Sequence, residues 1–235
     1  MSISENVIRV KNRIDAAARA AGRSPGEIAL VAATKMNSAD SVAEAIRAGI
    51  RVCGENRVQE LLEKNAQNAY AGSSLHFIGH LQKNKVRQVV GLCDMIESVD
   101  SLELLALIDG RAKALGLRQD ILLEINIGGE KSKSGMNESE LPRILEEAGA
   151  FPSVFIRGIM AIPPISHENG ENRAYFARMY KLFVDNSAKK YDNISMDFLS
   201  MGMSGDFEDA IAEGSNMVRV GSAIFGARVY PQISE

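Results

Sequence analysis

The sequence predicts an α/β protein, a single (β/α)8 barrel of the TIM type preceded by one extra helix. Three observations predict it. Short apolar runs rich in β-formers alternate with longer helical segments at intervals of roughly 20–40 residues. Eight such runs can be read, and the connections between them are long enough to return each strand to the same end of a sheet, so the pairing is parallel. No Pro/Gly/Ser-rich linker, low-complexity tract or shift in composition divides the chain, so residues 1–235 are expected to form one domain. A doubly wound open sheet is the competing topology, because strand order is not visible in a sequence.

The elements follow in order. Residues 5–21 carry Val7, Ile8, Ile14 and Ala18 at helical spacing, and Gly22 stops the helix. The first strand is expected over 28–33, with a helix over 39–48 that Gly49 ends. A short second strand over 50–53 leads into a helix through Val58, Leu61 and Leu62. The third strand covers 76–78 with a helix over 83–90; the fourth covers 94–98 with a helix over 102–115, stopped by Gly116. The fifth and most apolar strand spans 121–127 and is followed by a helix over 138–148. Strand six is expected over 154–160 with a helix over 172–189, strand seven over 194–199 with a helix over 207–213, and strand eight over 217–220.

Composition bounds the function. Apolar residues at 46% and charged ones at 24% describe a globular chain that can bury a core without metal or disulfides. A net charge of −3 with no basic run argues against a nucleic-acid partner. Glu5, Arg9 and Lys11 stand where a signal peptide would place an apolar core, and no stretch reaches the roughly 20 apolar residues that span a bilayer. A cytoplasmic location is expected. Cys53 and Cys93 read as buried thiols rather than a disulfide or ligand pair.

In such a barrel, chemistry sits at the carboxyl ends of the strands. Lys35 ends the run Leu30-Val31-Ala32-Ala33-Thr34. Apolar neighbours disfavour ammonium, which leaves the amine more available to attack a carbonyl. A rim lysine snorkelling into water is the alternative. Arg219 lies between Val218 and Val220, so strand alternation turns the valines toward the helices and the guanidinium toward the barrel centre. There it serves a ligand or pairs with a structural carboxylate. The segments Ser200-Met201-Gly202-Met203-Ser204-Gly205 and Gly221-Ser222 follow strands seven and eight, where barrels commonly hold phosphate. Glycines let backbone N–H groups approach an anion, and a helix opening near Ser204 adds unpaired donors. Ordinary capping by Ser204 ahead of Asp206 and Glu208 is the alternative. Asn56 orients a ligand or begins a helix, and His80 reads as a surface histidine. His76 and His167 show no partner spacing, no cluster suggests metal, and no P-loop motif is present.

Taken together, these stretches resemble the pyridoxal phosphate homeostasis proteins. The resemblance runs from Ala21-Gly22-Arg23-Ser24-Pro25 to Gly226-Ala227-Arg228. It rests on Gly54-Glu55-Asn56, His76-Phe77-Ile78-Gly79, Ser132-Lys133-Ser134-Gly135 and Met160-Ala161-Ile162-Pro163. It continues through Leu199-Ser200-Met201-Gly202-Met203-Ser204 and Val218-Arg219-Val220-Gly221, leading to Ala223-Ile224-Phe225-Gly226. That family's fold is similar to the barrel domain of alanine racemase without its second domain.

The resemblance implies pyridoxal 5′-phosphate as cofactor, held as an aldimine on Lys35. It places Arg219 at the pyridine nitrogen, Ser204, Gly221 and Ser222 on the phosphate, and Asn56 near the ring; Ser200 and Met203 complete the expected contacts. Asn37 and Ser38 depart from the family's second lysine and proline, Arg57 from its tyrosine, and Ser222 from its threonine. The implied function is intracellular homeostasis of vitamin B6 without established turnover, by a monomer whose recipients are apo-enzymes that need the cofactor. An arginine at the pyridine nitrogen disfavours pyridinium and weakens the electron sink, which fits a carrier. A pyridoxal-phosphate racemase or related enzyme is the alternative, and a Schiff-base aldolase a further one.

Overall fold

The computed structural model describes residues 1–130, 133–165, 168, 170–187 and 192–226. Eight parallel strands close on themselves in chain order. They are β1 (Ala29–Ala33), β2 (Val52–Glu55), β3 (Ser74–Phe77), β4 (Met95–Val99), β5 (Gln119–Ile125), β6 (Val154–Ala161), β7 (Ile194–Ser200) and β8 (Met217–Val220). The ring is completed by β1 against β8, with Val31 beside Arg219 and Ala32 beside Val220. Closure excludes the open doubly wound sheet.

Side-chain alternation divides the apolar residues into two bodies. Val218, Val220, Ile121, Leu123, Phe77 and Leu199 point outward into the shell between strands and helices. Val31, Ile78, Met95, Leu122, Met160 and Met217 fill the barrel itself. Register shifts interrupt β6 on both sides. Gly158 sits at the second shift with φ +145°, and a Cβ there would lie 1.9 Å from the Phe198 carbonyl oxygen, so only glycine fits.

The surrounding helices are α1 (Ile3–Ala20), α2 (Ala39–Arg47), α3 (Val58–Ala66), α4 (Val86–Val89), α5 (Leu102–Leu115), α6 (Leu141–Glu147), α7 (Arg173–Ser187), α8 (Phe207–Ala212) and α9 (Ser222–Phe225). Helix α1 starts on a reciprocal cap: Ser2 Oγ accepts the Glu5 N–H at 3.2 Å, and Glu5 accepts the Ser2 N–H at 2.8 Å. Its buried stripe of Val7, Val10, Ile14 and Ala18 packs against α8, α9 and α2. The extra helix thus covers the β8–β1 seam, which the four-residue α9 is too short to cover.

Several boundaries differ from the sequence reading. The second strand begins at Val52 rather than residue 50. Gly49 takes φ +104° and the Ile50 N–H still bonds the Ala45 carbonyl, so the end of α2 extends that far. That shift carries Glu55 into the wall of the barrel. The helix expected over 83–90 is a 3-10 turn, Lys83–Lys85, followed by the short α4. Helix α9 was not foreseen. Both cysteines are buried, and burial pushes the Cys53 thiol up to about 11. Among the described residues no helix is long and apolar enough to cross a membrane.

Candidate functional site

The turn after β1 carries Lys35, half-buried, between Thr34 and Met36. Asn37 closes it, its N–H donating to the Thr34 carbonyl at 3.2 Å and its side-chain amide to the Lys35 carbonyl at 2.9 Å. Ser38 caps α2 by accepting the Ser41 N–H at 3.2 Å. The two positions that depart from the family pattern therefore shape this turn and start the next helix.

Arg219 faces the barrel centre and is 4% exposed, as strand alternation requires. Its Nη1 donates to Ser200 Oγ at 2.6 Å and its Nη2 to the Ala161 carbonyl at 2.9 Å. Ser200 Oγ in turn donates to Glu97 Oε2 at 2.6 Å, and Glu97 Oε1 lies 2.7 Å from His76 Nδ1. A polar chain of four residues thus crosses the barrel beneath its mouth. Burial lowers the Arg219 pKa, partly offset by Glu97, Glu124 and Asp206. Burial pushes Glu97 up, but His76, Arg219 and Ser200 outweigh it and hold the carboxyl below its ordinary range. Ser200 is accordingly part of the support beneath the mouth, fully buried at the end of β7, rather than part of a loop.

The loops after β7 and β8 meet, with a correction. Ser204 does not cap α8: that helix begins after Asp206, with no side-chain cap bond. Instead Ser204 Oγ accepts the Gly221 N–H at 3.2 Å and the Ala223 N–H at 3.3 Å. The convergent donors come from the start of α9, where Ser222 is exposed. A Cβ on Gly221 would sit 3.3 Å from the Ala33 carbonyl oxygen, so the β8 loop lies tight against the end of β1. Met203 is 37% exposed and its N–H donates to Asp206 Oδ1 at 2.7 Å.

Asn56 is half-buried at the end of β2, and its Oδ1 is buried without a hydrogen-bond partner among the described residues. Glu124, on β5, is 4% exposed; Ser134 Oγ donates to its Oε1 at 3.1 Å, while its Oε2 is buried and unpartnered among those residues. Burial pushes the Glu124 carboxyl above its usual range. Orphaned buried acceptors are uncommon in a finished interior. His80 is exposed, 3.5 Å from Asp100 Oδ2. Among the described residues no His, Cys, Asp and Glu side chains are grouped to hold a metal ion. His167 and Ser132 lie outside the described residues.

Sequence reading missed His76, Glu97 and Glu124. The parity argument that found Arg219 was available for Glu97 in Met95-Ile96-Glu97-Ser98-Val99 and for Glu124 in Leu122-Leu123-Glu124-Ile125. Each is a charge at an inward position of an apolar strand.

A closed parallel barrel of eight strands, with Lys35 in the turn after β1 and Arg219 inside, has the fold of the alanine racemase barrel domain. The family model "Alanine racemase, N-terminal domain" matches residues 6–229. The chain is 41% identical over 229 residues to the pyridoxal phosphate homeostasis protein of Pseudomonas aeruginosa, covering 97% of each. Against that of Aquifex aeolicus it is 38% identical over 230 residues, covering 98% of this chain and 100% of the relative. Among solved structures, PipY of Synechococcus elongatus PCC7942 with PLP bound superposes with a TM-score of 0.84 at 31% identity, covering 96% of this chain and 100% of that one. Alanine racemase from Streptomyces lavendulae shares the fold, with a TM-score of 0.75 at 17% identity over 98% of this chain and 58% of that one. The chain belongs to the pyridoxal phosphate homeostasis protein family.

Proposed function

We propose that this chain, working as one domain over residues 1–235, holds pyridoxal 5′-phosphate on Lys35 and buffers the cofactor without turning over amino acids. The observation that supports the reading is the β1–β8 seam, which brings Gly221 against Ala33, two residues before Lys35, while the Gly221 and Ala223 N–H groups converge on Ser204 Oγ. Two further features fit the cofactor. Asn56 Oδ1, unpartnered among the described residues, offers an acceptor to a ring substituent, and Gly221, having no Cβ, lets the β8 loop close against the end of β1. Ser204, Gly221 and Ser222 would hold the phosphate, with Met203 on the rim. Arg219 would stand toward the pyridine nitrogen, oriented by Ser200 and the Ala161 carbonyl.

When bound, pyridoxal phosphate supplies an aldehyde that condenses with an amine, releasing one water, and a ring that can draw electrons from the attached carbon. Lys35 supplies the amine. Arg219 gives up no proton near neutrality, so it disfavours protonation of the ring nitrogen and weakens that withdrawal. Glu97 and His76, fixed beneath it, hold the guanidinium in place through Ser200. This favours storage over turnover. The reading extends to a cytoplasmic monomer that passes the cofactor to apo-enzymes requiring it.

Borohydride reduction of the loaded protein followed by peptide mapping tests the anchor: the label is expected on Lys35. Incubation with L-alanine in deuterated water tests the carrier role, with neither α-deuterium nor D-alanine accumulating. Sustained racemisation that Lys35→Ala abolishes would establish an enzyme instead. A phosphate-dependent imine with no chromophore would point to an aldolase.

A further inference from the structure

Behind the anchor turn, on the outside of the barrel wall, lies a buried ion pair that the cofactor site does not use. Lys64 sits on the inner face of α3, one turn past the fully buried Leu61, with its side chain 8% exposed. Its Nζ lies 2.5 Å from Glu55 Oε1, 2.8 Å from the Thr34 carbonyl oxygen and 3.4 Å from Glu60 Oε2. Glu55 is wholly buried, and Oε1 also accepts from Thr34 Oγ1 at 2.6 Å and Tyr70 Oη at 3.1 Å. Its Oε2 has no hydrogen-bond partner among the described residues.

Stability alone does not account for this arrangement. A buried ion pair is commonly matched or exceeded by apolar side chains of similar volume, and an unpaired buried oxygen adds a cost. What an apolar pair cannot do is hold backbone polar groups in fixed directions. Lys64 takes the carbonyl of the residue before Lys35, and Glu60 Oε2 accepts the N–H of the residue after it, Met36, at 2.6 Å. Met36 adopts φ +62°, a left-handed conformation costly for a side chain of its size, which persists only where its surroundings impose it. The backbone on both sides of Lys35 is therefore gripped by two charged side chains of α3, one of them paired with Glu55 of β2.

We propose that Lys64, Glu55 and Glu60 are positioning residues that fix the Thr34–Met36 backbone so that Lys35 Nζ meets the aldehyde carbon of bound pyridoxal phosphate. This rests on the proposed function. The step concerned is addition of the Lys35 amine to that carbon and departure of one water. Its rate and equilibrium follow the effective concentration of the amine at the aldehyde, which falls steeply when the amine is displaced by about 1 Å. Of the proposed ring and phosphate contacts, Asn56 adjoins Glu55, whereas Arg219, Ser204, Gly221 and Ser222 lie on or after β7 and β8, away from the grip.

The experiment pairs two ligands. Pyridoxine 5′-phosphate has the same ring and phosphate but an alcohol in place of the aldehyde, so it reports the pocket without the covalent step. Glu60→Ala removes the acceptor of the Met36 N–H and leaves the Lys64–Glu55 pair intact. Glu60→Gln retains an acceptor. Lys64→Met combined with Glu55→Leu replaces the pair by apolar volume and avoids stranding a buried charge. Glu60→Ala and the double variant are expected to bind pyridoxine phosphate within about twofold of the wild type while losing about tenfold or more in trappable Lys35 adduct with pyridoxal phosphate. Glu60→Gln should restore most of it. Unchanged adduct formation in Glu60→Ala, or a parallel loss with both ligands, would overturn the positioning role. A wild-type chain that binds pyridoxal phosphate without any Lys35 adduct would overturn the proposed function itself, and this inference with it.

Discussion

Near the amino-terminal ends of the strands, Arg157 on β6 lies between two carboxylates, Nε 2.5 Å from Asp197 Oδ2 and Nη1 2.7 Å from Asp120 Oδ2. Ser195 donates to the other oxygen of Asp197, and the Phe155 and Phe198 rings lie 5.7 and 5.3 Å from the guanidinium. Near the carboxyl ends, among the described residues, Arg219 donates to Ser200 and the Ala161 carbonyl rather than to a carboxylate, and Asn56 Oδ1 and Glu124 Oε2 are buried without partners. The two ends share strands and a similar stock of charged residues. They differ in whether the polar atoms are satisfied. The satisfied pairs around Arg157 read as scaffold, and the spare acceptors on Asn56 and Glu124 fit the proposed ligand site, whereas the spare oxygen of Glu55 lies outside the barrel wall.

The largest expected effect breaks or upholds the mouth as the site. Lys35→Ala should abolish the borohydride-trapped adduct, measured by mass spectrometry of peptides. The nearby alternatives are engaged: Lys133 Nζ is 3.1 Å from the Pro163 carbonyl oxygen and 2.6 Å from Glu130 Oε2, and Lys83 pairs with Glu103. Full labelling at either of them would move the anchor.

Next in size is the contribution of the loops. Pyridoxal lacking phosphate should bind orders of magnitude more weakly, since charge-assisted hydrogen bonds contribute roughly 1.5–3 kcal/mol each. Equal affinity for the two vitamers in a titration would remove Ser204, Gly221 and Ser222 from the binding set.

The opposite end supplies the contrast. Arg157→Ala should cost about 1–3 kcal/mol in urea unfolding, because Asp120 and Asp197 lose their shared cation in a partly solvated setting. Pyridoxal phosphate binding should hold steady. A large loss of binding with little loss of stability would erase the distinction between the two ends.

The smallest effect concerns pH and separates two buried carboxylates. Glu124 is raised in the folded state, so its favourable contribution is full below its unfolded pKa and is lost as pH rises through the folded value. Glu97 is lowered, so its contribution is present above its unfolded pKa and is lost as pH falls through the folded value. Glu124→Gln should therefore stabilise the protein near neutrality by about 1 kcal/mol and change little in acid. Glu97→Gln should destabilise near neutrality and converge on the wild type in acid. Urea midpoints at both pH values read the signs; the same sign for both variants would contradict the assignment.

Features carried by local pattern were legible in the sequence. The periodicity gave the barrel, parity turned Arg219 inward, and position along the strands singled out Lys35 and the loops after strands seven and eight. Features made by closure were not. Ser200 and Glu97 stand 103 positions apart in sequence and meet only across the interior. The grip on Met36 depends on where α3 docks, and a lysine on an amphipathic helix ordinarily reads as solvated. Of the two readings of Ser204, capping fails because α8 begins after Asp206, and its hydroxyl instead accepts the Gly221 and Ala223 N–H groups, a contact across two loops that no local pattern announces.

The β1–β8 seam joins the first and last strands of the barrel, residues 29–33 and 217–220, and the proposed site spans it. An emerging chain presents Lys35 early and can pair β1 with β2 soon after, but the strand on its other side, β8, follows only some 180 residues later. On the proposed reading, completeness is a condition of binding. A truncated or half-folded copy carries the nucleophilic amine without the cradle, so it can react with an aldehyde but cannot select one by its phosphate. Loading of the proposed site would then report that the last strand has been synthesised and has zipped home.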